Sequence, residues 1–448
     1  MLKSRSGNKK LRVLTLATVI YFTVSGGPYG LEPLLSFAGP QASLLLLIVT
    51  PLLWDVPAML AVLELNSMMP VTGGYYEWVK RAMGLRFGFY EGWWTWLYTF
   101  VDLAIYPVLF VEYLSFLFPQ AQAYKIPVCL IIVWLGALLN IIGISPVGKT
   151  TILLSMVVII PFIILFGITV FGTTPLHISA PSLKGLSYSS IGMALYTVMW
   201  NFFGWDNATT YAEEVEQPVR TYVKSMFIAF ITVIVVYVMV IISTLHFKID
   251  ARVLDEGGFP VLGLLAGDKW LGNAIAIGGM AGACGLYASV LLSVSRVPEV
   301  MASDRLLPKM INWLHPKFGT PYISIIVCAS VVSFMVLWSF EDLIVIDVTL
   351  YAAALFLEFI SLLLLRIKKP LQPRPFRIPL PAWALFGMFI IPVTVFFIAL
   401  SGVFISQGNS IKPALFAIVA LVSAEPAWQL IRLRKKIKRD YEIVQKRV

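Results

Sequence analysis

Two stretches decide how this sequence folds: Val24-Ser25-Gly26-Gly27-Pro28-Tyr29-Gly30 and Trp200-Asn201-Phe202-Phe203-Gly204-Trp205-Asp206. Each lies inside an apolar run long enough to cross a bilayer. Proline and clustered glycine interrupt the helical hydrogen-bond ladder. At membrane depth, irregular backbone persists only where protein buries it or where it lines a wet cavity. Interrupted helices at matching positions of two half-chains point to a carrier's substrate site. Two plain kinks are the simpler alternative, although five breaker or near-breaker residues in six exceed what a kink needs.

The rest of the chain agrees with this frame. Of 448 residues, 59% are hydrophobic and 13% charged, and mean hydropathy is +0.84. Soluble domains average roughly 45–50% apolar and about 25% charged. That excess excludes a soluble enzyme and a nucleic-acid binder, and it implies a lipid bilayer as the surroundings. At about 20 residues per crossing, twelve spans are expected near 13–35, 42–68, 88–118, 126–143, 150–172, 190–213, 224–247, 270–295, 321–338, 342–366, 381–405 and 412–431. The runs do not alternate, so a β-barrel is excluded. With the N-terminus in the cytoplasm, 28 of the 34 Lys and Arg fall in inner segments and 6 in outer ones, as the positive-inside rule requires. Both termini are therefore expected in the cytoplasm, and the net charge of +10 is topogenic. Lys3, Arg5, Lys9, Lys10 and Arg12 precede the first run, which reads as a retained span because no small-residue cleavage site follows.

Cys129, Cys284 and Cys328 lie in apolar stretches without CxxC spacing, so neither a disulfide framework nor a metal site is expected. No cofactor and no catalytic residue is expected either. Two motifs mislead. Gly143 to Thr150 satisfies GxxxxGK[ST] but joins two spans, with no α/β domain to complete a phosphate loop. Asn207-Ala208-Thr209 is a formal glycosylation sequon inside a span, and it is expected to stay unmodified.

Three further stretches carry a resemblance: Glu64-Leu65 with Pro70-Val71-Thr72-Gly73-Gly74-Tyr75-Tyr76, Glu214-Val215-Glu216-Gln217-Pro218, and Ser303-Asp304-Arg305-Leu306-Leu307-Pro308 followed by His315-Pro316 and Gly319-Thr320-Pro321. Together they resemble the amino acid–polyamine–organocation transporter superfamily over nearly the whole chain. Val24 to Glu32, Asp102 with Tyr106 to Phe110, Trp200-Asn201 with Trp205-Asp206, and Leu357 to Ile360 are most similar to its polyamine-uptake branch. The resemblance implies an all-α membrane protein with twelve helices: a five-plus-five inverted repeat of the LeuT type, broken helices 1 and 6, and two C-terminal helices, working by alternating access. Its parts would be a cytoplasmic N-terminus 1–12, a first repeat 13–172, an inverted second repeat 190–366, helices 11 and 12 over 381–431, and a basic tail 432–448, in a plasma or inner membrane. Many members carry a lysine in the middle of span 5; the matching position here is Val158.

The residues speak for themselves as well. Glu32, Asp55, Glu64, Asp102, Glu112, Asp206, Asp347, Glu358 and Glu425 fall in the spans, with no Lys or Arg deep enough to pair them. A charge at the bilayer centre costs at least about 2.5–3.5 kcal/mol, so the balancing positive charge is expected from substrate, sodium or protons. Glu32 and Asp206 are expected at the N-terminal ends of resumed half-helices. There they offer an anion to an amine and compete with a substrate carboxylate; plain helix caps are the alternative. Asp102 and Tyr106 share a face of span 3. The expected substrate site comprises Ser25, Gly26, Gly27, Tyr29, Glu32, Asp102, Tyr106, Trp200, Asn201, Phe203, Trp205 and Asp206, its aromatics supplying cation–π walls. Glu112, Ser293, Asp347 and Glu358 are ion-coupling candidates, Ser293 with Ser295 as sodium ligands beside span 1 carbonyls, or else as interhelical hydrogen bonds. Glu64 is expected to tie the end of span 2 to the glycine-rich turn. The expected function is import of polyamines or related organic cations, coupled to protons or sodium. An amino-acid permease of the same fold, or a non-transporting sensor, is the alternative.

Overall fold

The computed structural model describes residues 10–172, 182–247, 258–337, 340–405 and 411–445. Lys3, Arg5 and Lys9, and Lys248 and Arg252, all counted in the charge tally, lie outside the described residues. Every regular element among them is helical. The α-helices in chain order are α1 Val13–Val24, α2 Glu32–Leu53, α3 Asp55–Met68, α4 Gly74–Met83, α5 Leu85–Leu117, α6 Lys125–Ile142, α7 Ile144–Phe171, α8 Tyr188–Phe202, α9 Pro218–Phe247, α10 Gly258–Val294, α11 Arg296–Ser303, α12 Tyr322–Met335, α13 Phe340–Lys368, α14 Ala382–Ile405, α15 Ile411–Val422 and α16 Ala424–Gln445. Among the described residues, nine helical stretches are long and apolar enough to cross a membrane. They match expected spans 2–5, 7, 8 and 10–12. The other three expected spans hold the shorter helices α1, α8 and α12.

Both expected interruptions are present. The chain leaves α1 at Ser25 and resumes at Glu32, with Gly26, Gly27 and Gly30 all at positive φ. It leaves α8 at Phe203 and turns at Gly204, whose φ is +95°. Beyond this second break the chain departs from expectation. No α-helix resumes; two 3-10 turns, Asn207–Thr210 and Ala212–Glu214, take its place. The Thr209 and Thr210 hydroxyls donate to the carbonyls of Asp206 and Asn207 at 2.6 and 2.9 Å. Such back-bonding competes with the α ladder and favours the tighter turn.

Boundaries shift elsewhere. α7 starts six residues before the expected span, because Gly148 packs against Thr15 of α1 and lets Lys149-Thr150 remain helical. The GxxxxGK[ST] match is therefore a helix start, not a phosphate loop. α10 begins at Gly258 and bends at Gly267-Asp268, and the expected tail from Arg432 continues α16 as far as Gln445.

α5 lies at the centre, packed against α10 on one side and α13 on the other; α1 packs against α9 and α7, and α8 against α2 and α14. Outer faces are apolar, with Leu153, Ile160, Phe227, Ile231, Ile390 and Phe397 exposed, as a bilayer solvent demands. The three quoted loop motifs converge at one end, here called the basic end. Gly73 N–H donates to the Thr210 carbonyl at 2.8 Å, Tyr76 Oη donates to Asp304 at 2.6 Å, and Arg296 Nε donates to Glu214 at 3.1 Å.

Glu64 is structural, as expected, but its partners differ. It accepts from Arg366 Nε at 2.8 Å and from Ile378 N–H at 2.9 Å, and Arg374 Nε stands 3.4 Å away. The segment after α13, not the glycine-rich turn, is what it holds. Glu425 likewise pairs with Arg86 at 2.7 Å. Two of the nine acids thus find cations from flanking segments, which corrects the expectation that none would.

Candidate functional site

The two breaks face each other and are stitched together. Asn201 Nδ2 donates to the Gly30 carbonyl at 3.1 Å. The Tyr237 hydroxyl donates to the Asn201 carbonyl at 3.0 Å and lies 2.7 Å from Ser25 Oγ. Gly26 is at φ +62°, and a Cβ there would overlap the Leu286 side chain. Only glycine satisfies both conditions.

Between the breaks lies a small cavity lined by Thr23, Val24, Ser25, Tyr106, Trp200, Asn201, Phe203 and Leu286. It has room for about one water. Tyr106 donates to Asp102 behind the lining. The Asp102 carboxyl also meets that of Asp347 on α13, and the Trp200 indole lies against both. Asp102 and Asp347 are fully buried, and no Lys, Arg or His among the described residues pairs with either.

Below the cavity, toward the basic end, Phe203 stacks near Tyr351 with ring centroids 4.5 Å apart, and Tyr98 meets Tyr351 at 5.6 Å. Tyr351 Oη donates to Asp206 at 3.0 Å and accepts from Gly204 N–H at 3.1 Å. Tyr98 Oη donates to Asn207 Oδ1 at 2.9 Å.

Of the residues expected at the substrate site, Ser25, Tyr106, Trp200, Asn201 and Phe203 line the cavity, and Asp102 stands directly behind them. The others lie elsewhere. Glu32 opens α2, as expected, as an acid in the helix's first turn, and its carboxylate accepts from Gly30 N–H at 2.7 Å, just before the helix, and from the Tyr113 hydroxyl. Tyr29 packs on Tyr113 and donates to the Ile275 carbonyl at 2.7 Å. Gly27 packs on Val158, so this valine faces the first break. Trp205 packs on Phe230 and faces Asp55. Asp206 heads a 3-10 turn rather than a resumed half-helix, which corrects the expectation.

Among the ion-coupling candidates, Asp347 and Glu358 are buried. Glu112 is partly exposed ten residues beyond Asp102 on α5, so about 15 Å of helix separates them. Ser293 donates to its own i−4 carbonyl, and its carbonyl accepts from Thr210. At the level of the first break, α10 presents Gly278, Gly282 and Leu286, with Gly282 against the Gly26 carbonyl. Ser293 lies seven residues beyond Leu286, about 10 Å further along the helix from the first break.

One acid escaped the sequence reading. Glu91 of α5 is fully buried and faces Asp206 and Glu358. It lies near the start of its span, flanked by Tyr90 and Gly92, and reads there as interfacial. Its spacing of seven and eleven residues from Tyr98 and Asp102 is the signal that could have found it.

Broken helices facing a polar cavity inside an apolar bundle define a membrane carrier. The chain belongs to the Amino acid permease family, whose family model matches residues 11–424, and so to the amino acid–polyamine–organocation superfamily. It is 33% identical to "Polyamine transporter RMV1" of Arabidopsis thaliana, over 92% of this chain and 84% of that protein. It is 31% identical to "Polyamine transporter PUT1" of Oryza sativa subsp. japonica, over 88% and 74%. It is 23% identical to "Serine/threonine exchanger SteT" of Bacillus subtilis, over 86% and 90%.

Proposed function

We propose that the protein imports polyamines or related organic cations by alternating access, driven by a proton gradient. In this reading the chain crosses a plasma or inner membrane twelve times, its first ten spans form two inverted five-helix repeats, and the basic end with both termini faces the cytoplasm. The carrying observation is the Asp102–Asp347 carboxyl pair, buried without a cation behind a cavity walled by Tyr106, Trp200 and Phe203. An ammonium supplies the missing charge, and the aromatic walls cover its methylenes and hold it by cation–π attraction. The names of the plant relatives favour the same substrate class.

An amino-acid permease is the rival, favoured by the family's description and by the bacterial exchanger's name. That reading needs a free helix N-terminus at a break to receive a carboxylate. At the first break, Glu32 puts a resident carboxylate in the opening turn of α2, which disfavours a second one there.

The test is labelled putrescine uptake into proteoliposomes, with pH and sodium gradients imposed separately and arginine and leucine as competitors. Saturable putrescine entry that leucine leaves untouched is expected. Asp102→Asn should raise the half-saturation concentration at least about 30-fold, the smaller end of the 2–5 kcal/mol carried by a buried charge contact, in protein that still folds. Driven leucine entry without putrescine entry would replace this reading with the permease.

A further inference from the structure

Acids recur along α5 and α13 in mirrored order. Asp102, Tyr98 and Glu91 stand four and then seven residues apart on one face of α5. Asp347, Tyr351 and Glu358 repeat that spacing in the opposite direction on α13. The two helices pack together, so the residues meet as rungs: a carboxyl pair, a tyrosine pair and a second carboxyl pair. Eleven residues of helix put about 16 Å between the acid rungs.

The lower rung differs from the upper. Asp206, from the second break, joins it, and its carboxyl meets that of Glu358. No N–H or hydroxyl reaches either oxygen of Glu91 or of Glu358, and both side chains are fully buried. The Tyr75 hydroxyl of α4 is also buried, lies beside Thr95, and faces all three acids. Tyr98 and Tyr351 complete the titratable groups around them. No Lys, Arg or His among the described residues acts on the three. Cations at this end are engaged elsewhere: Lys80 with Glu77 and Asp304, Arg296 with Glu214, and Arg366 with Glu64. Nor do the described residues include a cluster of acids, histidines and cysteines fit for a metal ion.

Asp206 and Glu358 meet carboxyl to carboxyl, and Glu91 is buried close enough for its charge to act on both; three such carboxylates out of water cannot all be ionised. Two carboxyl groups meet at hydrogen-bonding range only when one carries a proton, as in paired acids that share one. We propose that Glu91, Asp206 and Glu358 form the proton-carrying site that couples the gradient to transport, distinct from the carboxyl pair behind the cavity. This rests on the import reading above and gives its coupling ion a location. Asp206 is the link. Tyr351 donates to Asp206 and packs on Phe203, which lines the cavity. A proton gained or lost at Asp206 therefore changes what Tyr351 holds, two contacts from the substrate.

The test uses wild type, Glu91→Gln, Glu358→Gln and Glu358→Asp in proteoliposomes, with a pH-sensitive dye inside and the membrane potential clamped. One assay follows putrescine-for-putrescine exchange without a gradient. The other follows net uptake and proton entry under an inward proton gradient. With one proton per substrate, one pH unit supports about tenfold accumulation. The Gln variants should keep exchange yet fall from about tenfold accumulation to simple equilibration, with no dye response. Glu358→Asp should keep both activities. Gln variants that admit protons with substrate at the wild-type ratio would overturn the proposal, as would wild-type uptake that moves no protons. If a Gln variant fails to insert, the pH profile of Glu358→Asp decides: a shifted profile supports the site, and an unchanged one rejects it. If wild type exchanges no putrescine, the polyamine reading fails by itself. The same assays with arginine or serine then test the proton site separately.

Discussion

Glu64→Gln should be among the most damaging isosteric changes in the protein. The Glu64 carboxylate is fully buried and holds Arg366 through two nitrogens, Arg374 at 3.4 Å and the Ile378 N–H. Glutamine keeps the shape but removes the charge, and it leaves two guanidinium groups without a counter-ion, held only by backbone carbonyls. Breaking a buried pair this way costs about 3–5 kcal/mol. At about 2.1 cal/mol/K of unfolding entropy per residue, the 448 residues give about 0.9 kcal/mol/K, so Tm should fall by about 3–5 °C. Melting can be followed in detergent with a thiol-reactive dye, since Cys129 and Cys328 are buried until the fold opens. Glu64→Gln/Arg366→Met should recover part of the loss, because the stranded charge has gone. Arg12→Ala is the control: its bond to Glu216 lies on the surface, with 83% of the Arg12 side chain exposed, and such pairs contribute about 0–1 kcal/mol. An unchanged Tm in Glu64→Gln, or a double variant no better than the single, would refute the reasoning.

Gly26→Ala should destabilise by about 2–5 kcal/mol, combining about 1–2 for a left-handed backbone with about 1–3 for overlap with Leu286. Adding Leu286→Ala relieves only the overlap, so the double variant should still melt below wild type; full recovery would show that the backbone term is absent. Asn207 heads the chain's one N-x-[ST] sequon but is fully buried and accepts from Tyr98. Expressed in a glycosylating host, the protein should show no glycosidase-sensitive mass, and a mass shift would place Asn207 outside the bundle.

What the sequence made legible was what chemistry marks locally. Gly26-Gly27-Pro28 and Gly204 announce their breaks by composition, and the apolar runs announce helices. The loop motifs, far apart in the chain, do meet at one end. What stayed hidden depended on partners. Lys149-Thr150 ended an apolar run on paper, yet the packing of Gly148 on Thr15 keeps them helical. Asn207 to Thr210 looked like a resumed helix, but two threonine hydroxyls draw it into a tighter turn. Glu32 was readable as ligand or as a helix-end acid, and its bonds to Gly30 N–H and the Tyr113 hydroxyl appear only in the fold. Glu91 carried only the signal of its spacing from Tyr98 and Asp102; it matters because α13 brings Glu358 opposite.

The five acids gathered around α5, α13 and the second break share one physical problem, and space separates its two solutions. Each costs at least about 2.5–3.5 kcal/mol to place charged at membrane depth, and none has a resident cation. Behind the cavity, Asp102 and Asp347 stand beside indole and phenol faces that suit a methylene-bearing ammonium. At Glu91, Asp206 and Glu358, in the coupling proposed above, the balancing cation is a proton. The tyrosine rung between them keeps the two ligands apart while touching both sites. A substrate charge above and a proton charge below can then act on one element, the second break, from opposite sides. In the proposed mechanism, that arrangement would let a gradient in one ion set the position of another without the two sharing a ligand.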